Sequence, residues 1–370
     1  MNVDVVRPDE LGEAELERWR AFQSATPSLH SPFLSPEFTR IVGGVRPRTR
    51  VGVLREHDEI VGFFPFERAS LGRGLPVAPG LTDAQGLVHA PGAGWDAVDL
   101  LRACGITVWE FDHLVAGQGP FAAYEELRAS SPAIDLAGGY DHYRGILQGR
   151  SPSFLRDLEK KYARLGRQIG PVATVLDERD PGALATLIAW KSAQYRRTGR
   201  SDRFAHPWIV ELVERLLCER SDTFGGLLTM LYADGAPVAG HLGLRQGSVL
   251  AAWFPAYDTT FRRYSPGLLQ HLAMAHEAAA DGVETIDLGR GDKAYKDELK
   301  TREMTVAEGR VTRAVPSAAV NWLRRTPVRR LRRTVMANPR LYRSADQVLR
   351  TAARARDALG RSVRKEVDPR

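Results

Sequence analysis

Cysteine is almost absent from this chain. Cys104 and Cys218 are the only two among 370 residues, too few for a disulfide framework or a cysteine-ligated zinc site. No segment approaches the run of about 20 apolar residues that a membrane-spanning helix requires. The first segment, MNVDVVRPDELGEAELERW, is acidic and lacks the apolar centre of a secretory signal. We therefore expect a protein of the reducing cytoplasm.

Three catalytic motifs are also missing. The sequence contains no G-x-x-x-x-G-K-[ST] loop, no H-E-x-x-H pair and no G-x-S-x-G elbow. These absences argue against nucleotide hydrolases, zinc proteases and α/β-hydrolases. What remains is an ordinary globular composition, 43% apolar and 26% charged, in a chain long enough for two domains.

Positive charge is concentrated at the C-terminal end. The last 61 residues, from Arg310, hold 17 Lys and Arg against 4 Asp and Glu, which leaves a formal net charge of −6 for the preceding 309. A mildly acidic body argues against binding nucleic acid over the whole surface. The segment WLRRTPVRRLRRTV, residues 322–335, is of a type that can lie on an anionic membrane surface. A solvated tail that packs on the body is the reading that such a charge run favours.

Hydrophobic periodicity predicts an α/β fold with the same order of elements in both halves. Each half reads helix, helix, hairpin, strand, helix, strand. The predicted hairpin turns are His57-Asp58-Glu59 and Ala233-Asp234-Gly235. We expect four parts: a first domain at 1–150, a basic linker helix at 151–172, a second domain at 173–315 and a basic helical tail at 316–370.

The segment from 257 to 296 carries the strongest chemical signal. It reads YDTTFRRYSPGLLQHLAMAHEAAADGVETIDLGRGDKAYK. Pro266 suits the first turn of a helix, and a helix N-terminus presents free N–H groups to an anion. Arg262 and Arg263 precede that terminus, and arginines there favour a phosphate or pyrophosphate. A capped surface helix behind a basic loop is the alternative reading.

This segment resembles the CelD/BcsL-like acetyltransferases of the GNAT superfamily. The matching residues are Ser265-Pro266-Gly267 at the helix start, followed by Asp287, Gly291, Tyr295 and Lys296. The N-terminal stretches SPFLSPEFTRIVGG and EIVGFFPFERASLGRGLPVAPGLTDAQGLV extend the resemblance to roughly Ser31–Arg310. It implies two tandem acyltransferase folds, of which the first is degenerate, and a mixed central sheet flanked by helices in each.

The resemblance also implies a donor site for acetyl-CoA or another acyl-CoA, with no metal. The implied contacts to the coenzyme are Arg262, Arg263, Tyr264, Ser265, Gly267 and Lys296. The family pattern provides a splayed strand beside the phosphate loop, here 249–256, in which Pro255 lacks an N–H and favours the splay. Tyr295 is then a candidate proton donor to the leaving thiolate, and Asp287 a base or an orienting group. A structural cluster of ion pairs is the alternative for these two residues.

Candidates for the acceptor side come from three other segments. His241 lies in a predicted strand and is a candidate general base, because histidine titrates near neutrality. Lys191 and Tyr195 lie on one helical face that suits an acidic acceptor, with a solvated helix face as the alternative. In the first half, the resemblance implies an acidic residue near the cleft at Asp83. Asp83 and His113 are both candidates to line the acceptor site between the domains, with a structural role as the alternative for each.

We therefore expect an acyl-CoA-dependent N- or O-acyltransferase, with the acceptor on a sugar, a polysaccharide precursor or a secondary metabolite. Two alternatives stay open. One is a Fem-type transferase with an aminoacyl-tRNA donor, for which the basic linker helix and tail could bind RNA phosphates. The other is a non-catalytic protein that uses the same fold to bind a partner or a membrane.

Overall fold

One mixed β-sheet of 13 strands runs through the computed structural model, which describes residues 2–219, 221, 223–291 and 293–314. The α/β fold class predicted from the sequence is confirmed. The strands are β1 Asn2–Val6, β2 Thr49–Glu56, β3 Glu59–Ala69, β4 Arg73–Leu75, β5 Val88–His89, β6 Val108–Val115, β7 Glu125–Asp135, β8 Val172–Val175, β9 Phe224–Ala233, β10 Ala236–Gln246, β11 Val249–Tyr257, β12 Thr285–Asp287 and β13 Arg302–Thr312. The helices are α1 Glu13–Ala25, α2 Pro36–Val45, α3 Ala97–Ala103, α4 Gly139–Arg150, α5 Pro152–Gln168, α6 Pro181–Arg197, α7 Pro207–Cys218, α8 Pro266–Ala280 and α9 Ala294–Leu299.

Two tight hairpins have the predicted positions. Asp234 and Gly235 join β9 to β10 with φ of 51° and 73°, the conformation that Asp-Gly favours in a two-residue turn. The β2–β3 turn was predicted as three residues and has two, His57 and Asp58, with φ of 48° and 67°. Glu59 instead pairs with Glu56, because the right-handed twist of the strands suits the shorter turn.

The order of strands across the sheet is symmetric about its centre. It runs β1-β2-β3-β4-β6-β13-β7-β12-β11-β10-β9-β8. The first five steps from either end have the same sense: three antiparallel pairs, one parallel pair and one antiparallel pair. The helices repeat as well. In the order of elements along the chain, α1, α2 and α3 of the first half correspond to α6, α7 and α8 of the second.

The two central strands are exchanged between the halves. Strand β13, from the C-terminal half, pairs with β6 of the first half, and β7, from the first half, pairs with β12 of the second. The two exchanged strands also pair with each other. Neither half therefore completes its sheet from its own residues.

One hydrophobic core also spans both halves. Trp19 and Phe38 of α1 and α2 belong to the same buried cluster as Leu187 and Leu212 of α6 and α7. The opposite face of the sheet carries α3 over the first half, and α4, α5 and α8 over the second. The four helices on the shared face hold the two repeats together.

The predicted linker helix forms as α5, with Leu155, Leu158 and Leu165 buried. Tyr162, expected on the same apolar stripe, is 44% exposed. The basic tail at 316–370, and with it the predicted membrane contact, lies outside the described residues. Within the described ranges no helix combines the length and apolarity that a bilayer span needs.

Candidate functional site

The parallel strands β11 and β12 separate at the centre of the second half. Their last paired residues are Ala251 and Asp287, where β12 ends, while β11 continues to Tyr257. A bulge accompanies the separation, because β10 shifts its partner from Phe254 to Ala252 and leaves Trp253 as the extra residue. A bulge bends its strand and re-aims the side chains around it. We call the gap between the two separating strands, along the second half of β11, the cleft.

The N-terminus of α8 lies at this cleft without a side-chain cap. Its N-cap residue, Ser265, has left-handed backbone angles (φ 55°, ψ 49°) and makes no capping hydrogen bond. Pro266 has no N–H, and the N–H of Gly267 has no acceptor within the described part of the chain. A helix of 15 residues with an open N-terminus offers a donor and a positive dipole end to an anion.

Cations surround this terminus. Arg262 and Arg263 lie in the preceding 3-10 turn, Thr259–Tyr264. The ammonium of Lys161, on α5, donates a 3.0 Å hydrogen bond to Ser265 Oγ. Lys161 was not predicted at this site, because its neighbour Ser265 is 104 residues away in the chain.

Tyr264 supports this turn from inside. It is 1% exposed, its hydroxyl donates to Gln168 Oε1 at 2.8 Å, and it accepts a 2.6 Å hydrogen bond from Arg263. Both functions of the hydroxyl are thus engaged by protein groups. Tyr264 positions Arg263, while the predicted direct contact of its own hydroxyl with a phosphate remains a prediction.

The equivalent place in the first half is closed. The parallel pair β4–β6 also separates, but residues 76–87 fill the gap, and Gln85 exchanges backbone hydrogen bonds with His113 and Val115 of β6. The N-terminus of α3 is occupied by the Asp96 carboxylate, which accepts from two backbone N–H groups. An anion is therefore favoured at the second half alone.

The loop 76–87 also forms a wall of the cleft. The indole N–H of Trp253, on β11, donates to the carbonyl of Leu81 at 2.8 Å. The guanidinium of Arg203 donates to the carbonyl of Gly80. Asp83 lies against Gly289. A Cβ added to Gly289 would lie 2.7 Å from Oδ2 of Asp83. The first half thus contributes chain directly to the site in the second.

Asp83 forms a polar chain with two residues of β6. His113 Nε2 lies 3.5 Å from Asp83 and its Nδ1 lies 3.0 Å from Asp112. Burial raises the pKa of Asp83, against the opposing charges of His113 and Lys296. Burial opposes charge on His113 as well, but its contacts with Asp112 and Asp83 outweigh it and raise the pKa of the imidazole. Asp83 and His113 are therefore ionisable groups that act on each other's charge.

Asp287 and Lys296 close the loop that follows β12. Asp287 Oδ1 accepts hydrogen bonds from Ser131 Oγ and from the N–H of Gly289. Burial, and then the charge of Asp83, raise the pKa of Asp287 to about 6. Lys296 donates to the carbonyls of Gly289 and Arg290 and is 7% exposed. In this arrangement Asp287 shapes the loop.

Three aromatic side chains line the floor of the cleft. The ring of Tyr295 lies 5.2 Å from that of His271, which lies 5.8 Å from that of His241. Burial, and then Asp83, raise the pKa of Tyr295 to about 12. His241 is fully buried, neither of its nitrogens has a hydrogen-bond partner among the described residues, and burial holds its pKa well below the usual value. A buried neutral imidazole can accept a proton only from a group that reaches the cleft floor.

Lys191 crosses from α6 to β11. Its ammonium is 2.8 Å from the carbonyl of Pro255 and 5.4 Å from the ring centre of Tyr195. Lys191 and Tyr195 are 8% and 9% exposed, so the alternative of a solvated helix face is wrong for both. Because the N and O of one residue in an antiparallel pair point the same way, the ring nitrogen of Pro255 also faces Lys191. Pro255 therefore leaves this edge of β11 without one N–H donor.

Residues 152–297 match the family model for the acetyltransferase (GNAT) domain. The second half of the chain has the GNAT fold. This match spans α5 to α9 and includes the cleft, the α8 N-terminus and the loop after β12. The narrower CelD/BcsL-like resemblance stays a prediction. A comparison with curated proteins finds no match.

Solved structures with the same overall fold are distant in sequence. The C-terminal domain of a protein described as a lysylphosphatidylglycerol synthetase from Agrobacterium fabrum is 13% identical, with a TM-score of 0.52 over 82% of this chain and 93% of that one. A conserved protein of unknown function from Bacteroides thetaiotaomicron is 9% identical, with a TM-score of 0.50 over 83% and 99%. A tandem GNAT protein from the clavulanic acid biosynthesis pathway is 12% identical, with a TM-score of 0.47 over 84% and 98%. At these identities the first two comparisons concern the fold alone.

The GNAT cleft brings together most, but not all, of the predicted site residues. Arg262, Arg263, Ser265 and Gly267 meet at the α8 N-terminus, and Asp83, Asp287, Tyr295 and Lys296 meet around the loop after β12. The sequence analysis missed His271, which lies one helical turn after Gly267. The ring of His271 donates a 2.6 Å hydrogen bond to the carbonyl of Gly267. The spacing of four residues on one helix could have indicated this contact. In the described ranges no group of three or more His, Cys, Asp or Glu side chains is arranged to hold a metal.

Proposed function

We propose that the protein transfers an acyl group from acyl-CoA to an amine or hydroxyl of a sugar, a polysaccharide precursor or a secondary metabolite. The observation that carries the proposal is the cleft between β11 and β12, which opens beside an uncapped, cation-flanked N-terminus of α8. The pyrophosphate of coenzyme A suits that terminus. The pantetheine arm, extended and polar along its length, suits the unpaired edge of β11.

The reaction would be a direct attack on the thioester. The acceptor nucleophile forms a bond to the acyl carbonyl carbon and the carbon–sulfur bond breaks, so that the acyl group leaves as an amide or ester and coenzyme A leaves as a thiolate. Asp83, through its contact with His113, is the group best placed to take the acceptor's proton. Tyr295, whose raised pKa keeps its phenol protonated near neutral pH, would supply a proton to the thiolate.

Removing the two arginines of the loop tests the donor site. The double substitution Arg262→Ala/Arg263→Ala should weaken acetyl-CoA binding by about 1–3 kcal/mol, because charge-assisted hydrogen bonds to phosphate are lost. Calorimetry measures the change. The control Arg40→Ala/Arg197→Ala removes the same charge from two exposed positions and should bind acetyl-CoA as the unmodified protein does. Equal affinities for all three proteins would place the pyrophosphate elsewhere.

Replacing Tyr295 by Phe tests the proton donor. Turnover should fall by about a hundredfold, the lower end of general acid catalysis, while acetyl-CoA affinity and melting temperature stay nearly unchanged. Thiol release from acetyl-CoA in the presence of an amine acceptor reports turnover. If the variant turns over normally, the ring of Tyr295 serves packing against His271 and another group protonates the thiolate.

The contact of α5 with the α8 N-terminus supports a second candidate donor. Arg156, Lys160 and Arg164 are exposed on α5, and Lys161 of the same helix contacts Ser265. This basic surface would also suit an aminoacyl-tRNA, whose affinity should fall steeply as salt rises. Calorimetry with acetyl-CoA and with charged tRNA separates the two donors. A protein that binds neither donor would be a non-catalytic binding module.

A further inference from the structure

A second group of cations is centred on Lys191 of α6. Its other members, whose positive charges act on Lys191, are Lys293, which precedes α9, Arg200 in the turn after α6, and Arg203. Burial first, and then the positive charges of the other three, lower the pKa of Lys191 to about 7. Arg200 and Lys293 are exposed, so water screens most of their repulsion, whereas Lys191 is buried and an anion beside it would favour its charged form.

Two acidic residues of the described ranges, Asp202 and Asp83, have other partners. Asp202 accepts hydrogen bonds from Ser192, from Arg196 and from the N–H of Phe204. Asp83 lies against His113 and close enough to Arg203 and Lys296 to feel their charges. Neither carboxylate forms an ion pair with Lys191, Arg200 or Lys293 among the contacts of the described residues.

Several buried hydrogen-bonding positions also lack a partner here. Lys191 has three N–H bonds and makes one hydrogen bond within the described part of the chain, to Pro255. His241, which pairs with Pro255 across the β10–β11 ladder, is 0% exposed, and neither of its ring nitrogens has a partner among those same residues. Polar atoms buried without partners are costly, and at a protein cleft they indicate a ligand that supplies the missing groups.

We propose that the acceptor carries an anionic group, a phosphate or a carboxylate, that is held by Lys191, Arg200 and Lys293 at the mouth of the cleft. This inference rests on the proposed function, since it concerns the acceptor of the same transfer. The anion would lie on the α6 side of β11, whereas the donor phosphates would lie at the α8 N-terminus with Arg262, Arg263 and Lys161. The acceptor's amine or hydroxyl would then extend inward, toward Asp83 and Tyr295.

Binding of three small amines tests the proposal. O-phosphoethanolamine, β-alanine and ethanolamine each carry a primary amine, with a phosphate, a carboxylate or a hydroxyl at the other end. The full chain is first saturated with coenzyme A, so that the α8 terminus is filled, and each amine is titrated by calorimetry or saturation-transfer NMR. We expect one anionic amine to bind at least about tenfold more tightly than ethanolamine, as charge-assisted contacts require. The tighter of the two assigns the acceptor to phosphates or carboxylates.

Matched variants locate the anion. Arg200→Gln/Lys293→Gln should lower the affinity for the anionic amine about tenfold, while Arg40→Gln/Arg197→Gln, with the same change in charge at exposed positions, should leave it unchanged. Equal binding of the three amines, no binding of the anionic ones, or equal binding by both variants would overturn the proposal. If coenzyme A itself does not bind, the donor assignment is wrong. The amines are then titrated into the unliganded Arg262→Ala/Arg263→Ala protein, and the same comparison of affinities supports or overturns the anion site.

Discussion

Replacing Lys191 by Met should make the protein more stable and a poorer enzyme. Lys191 is 8% exposed and its pKa is lowered from 10.5 to about 7, by burial first and then by Lys293, Arg200 and Arg203. Below pH 7 that shift corresponds to about 5 kcal/mol of destabilisation. Losing the hydrogen bond to Pro255 offsets about 1–1.5 kcal/mol. At pH 6 we therefore expect a net gain of about 3 kcal/mol in the free energy of unfolding.

The pH dependence of this gain has a definite sign. Below pH 7 the amine is charged in both the folded and the unfolded chain, so the folded state bears the whole cost of burying the charge. Between pH 7 and 10.5 the unfolded chain binds more protons than the folded one, so the stability of the unmodified protein rises with pH. The advantage of the Met variant should therefore shrink across that window.

Denaturant unfolding at pH 6 and pH 9.5 measures both effects. Lys160→Met, at an exposed position of α5, is the control and should change stability little at either pH. Acceptor binding should weaken in the Lys191 variant alone. A Lys191→Met protein that is less stable at pH 6 would mean that Lys191 is charged and compensated in the fold, which contradicts an unoccupied anion site.

Replacing Gly309 by Ala should destabilise the protein severely. A Cβ at this position would lie 2.1 Å from the carbonyl oxygen of Tyr124 and 2.7 Å from the Phe111 ring. Backbone at that distance has to move, and overpacking of this kind typically costs about 1–3 kcal/mol and occasionally more. We expect the upper end, because Gly309 lies where β13 bulges between β6 and β7 and a shift there disturbs both pairings.

Gly145→Ala is the matched control. Nothing lies within 4 Å of a Cβ at Gly145, which is exposed in α4, so Ala should stabilise the helix by about 0.5–1 kcal/mol. Thermal melts of the two variants should move in opposite directions. A Gly309→Ala protein that melts like the unmodified chain would show that the exchanged strand tolerates displacement at its bulge.

The sequence predicted those elements whose pattern is local. The β9–β10 hairpin has two largely apolar strands joined by an Asp-Gly turn, and the turn lies where the sequence predicted it. The open N-terminus of α8 followed from Ser265, Pro266 and Gly267 in the same way. Such signals depend on neighbours a few residues apart in the chain.

Strands β7 and β13 escaped prediction although each has 11 residues. Their sequences, EELRASSPAID and REMTVAEGRVT, are largely polar. Neighbouring strands cover the edges of both strands, but a hydrophobic core covers only part of their faces. Their pairing joins residues far apart in the chain, which no periodicity records. The wall of the cleft escaped for the same reason, because Asp83 meets Gly289 only after the halves have joined.

The exchanged strands determine the order in which the protein can fold during its synthesis. Strand β6 ends at Val115 and its partner β13 begins at Arg302, about 190 residues later. At usual elongation rates the ribosome needs about 10–40 s to make these residues, and during that time the edge of β6 lacks its partner strand. Unpaired edges in that interval invite association with other nascent chains. Cutting the chain between α4 and α5 would yield two fragments that each carry the other's missing strand, and neither ought to fold until they meet. Each half thus depends on the other for one strand of its own sheet.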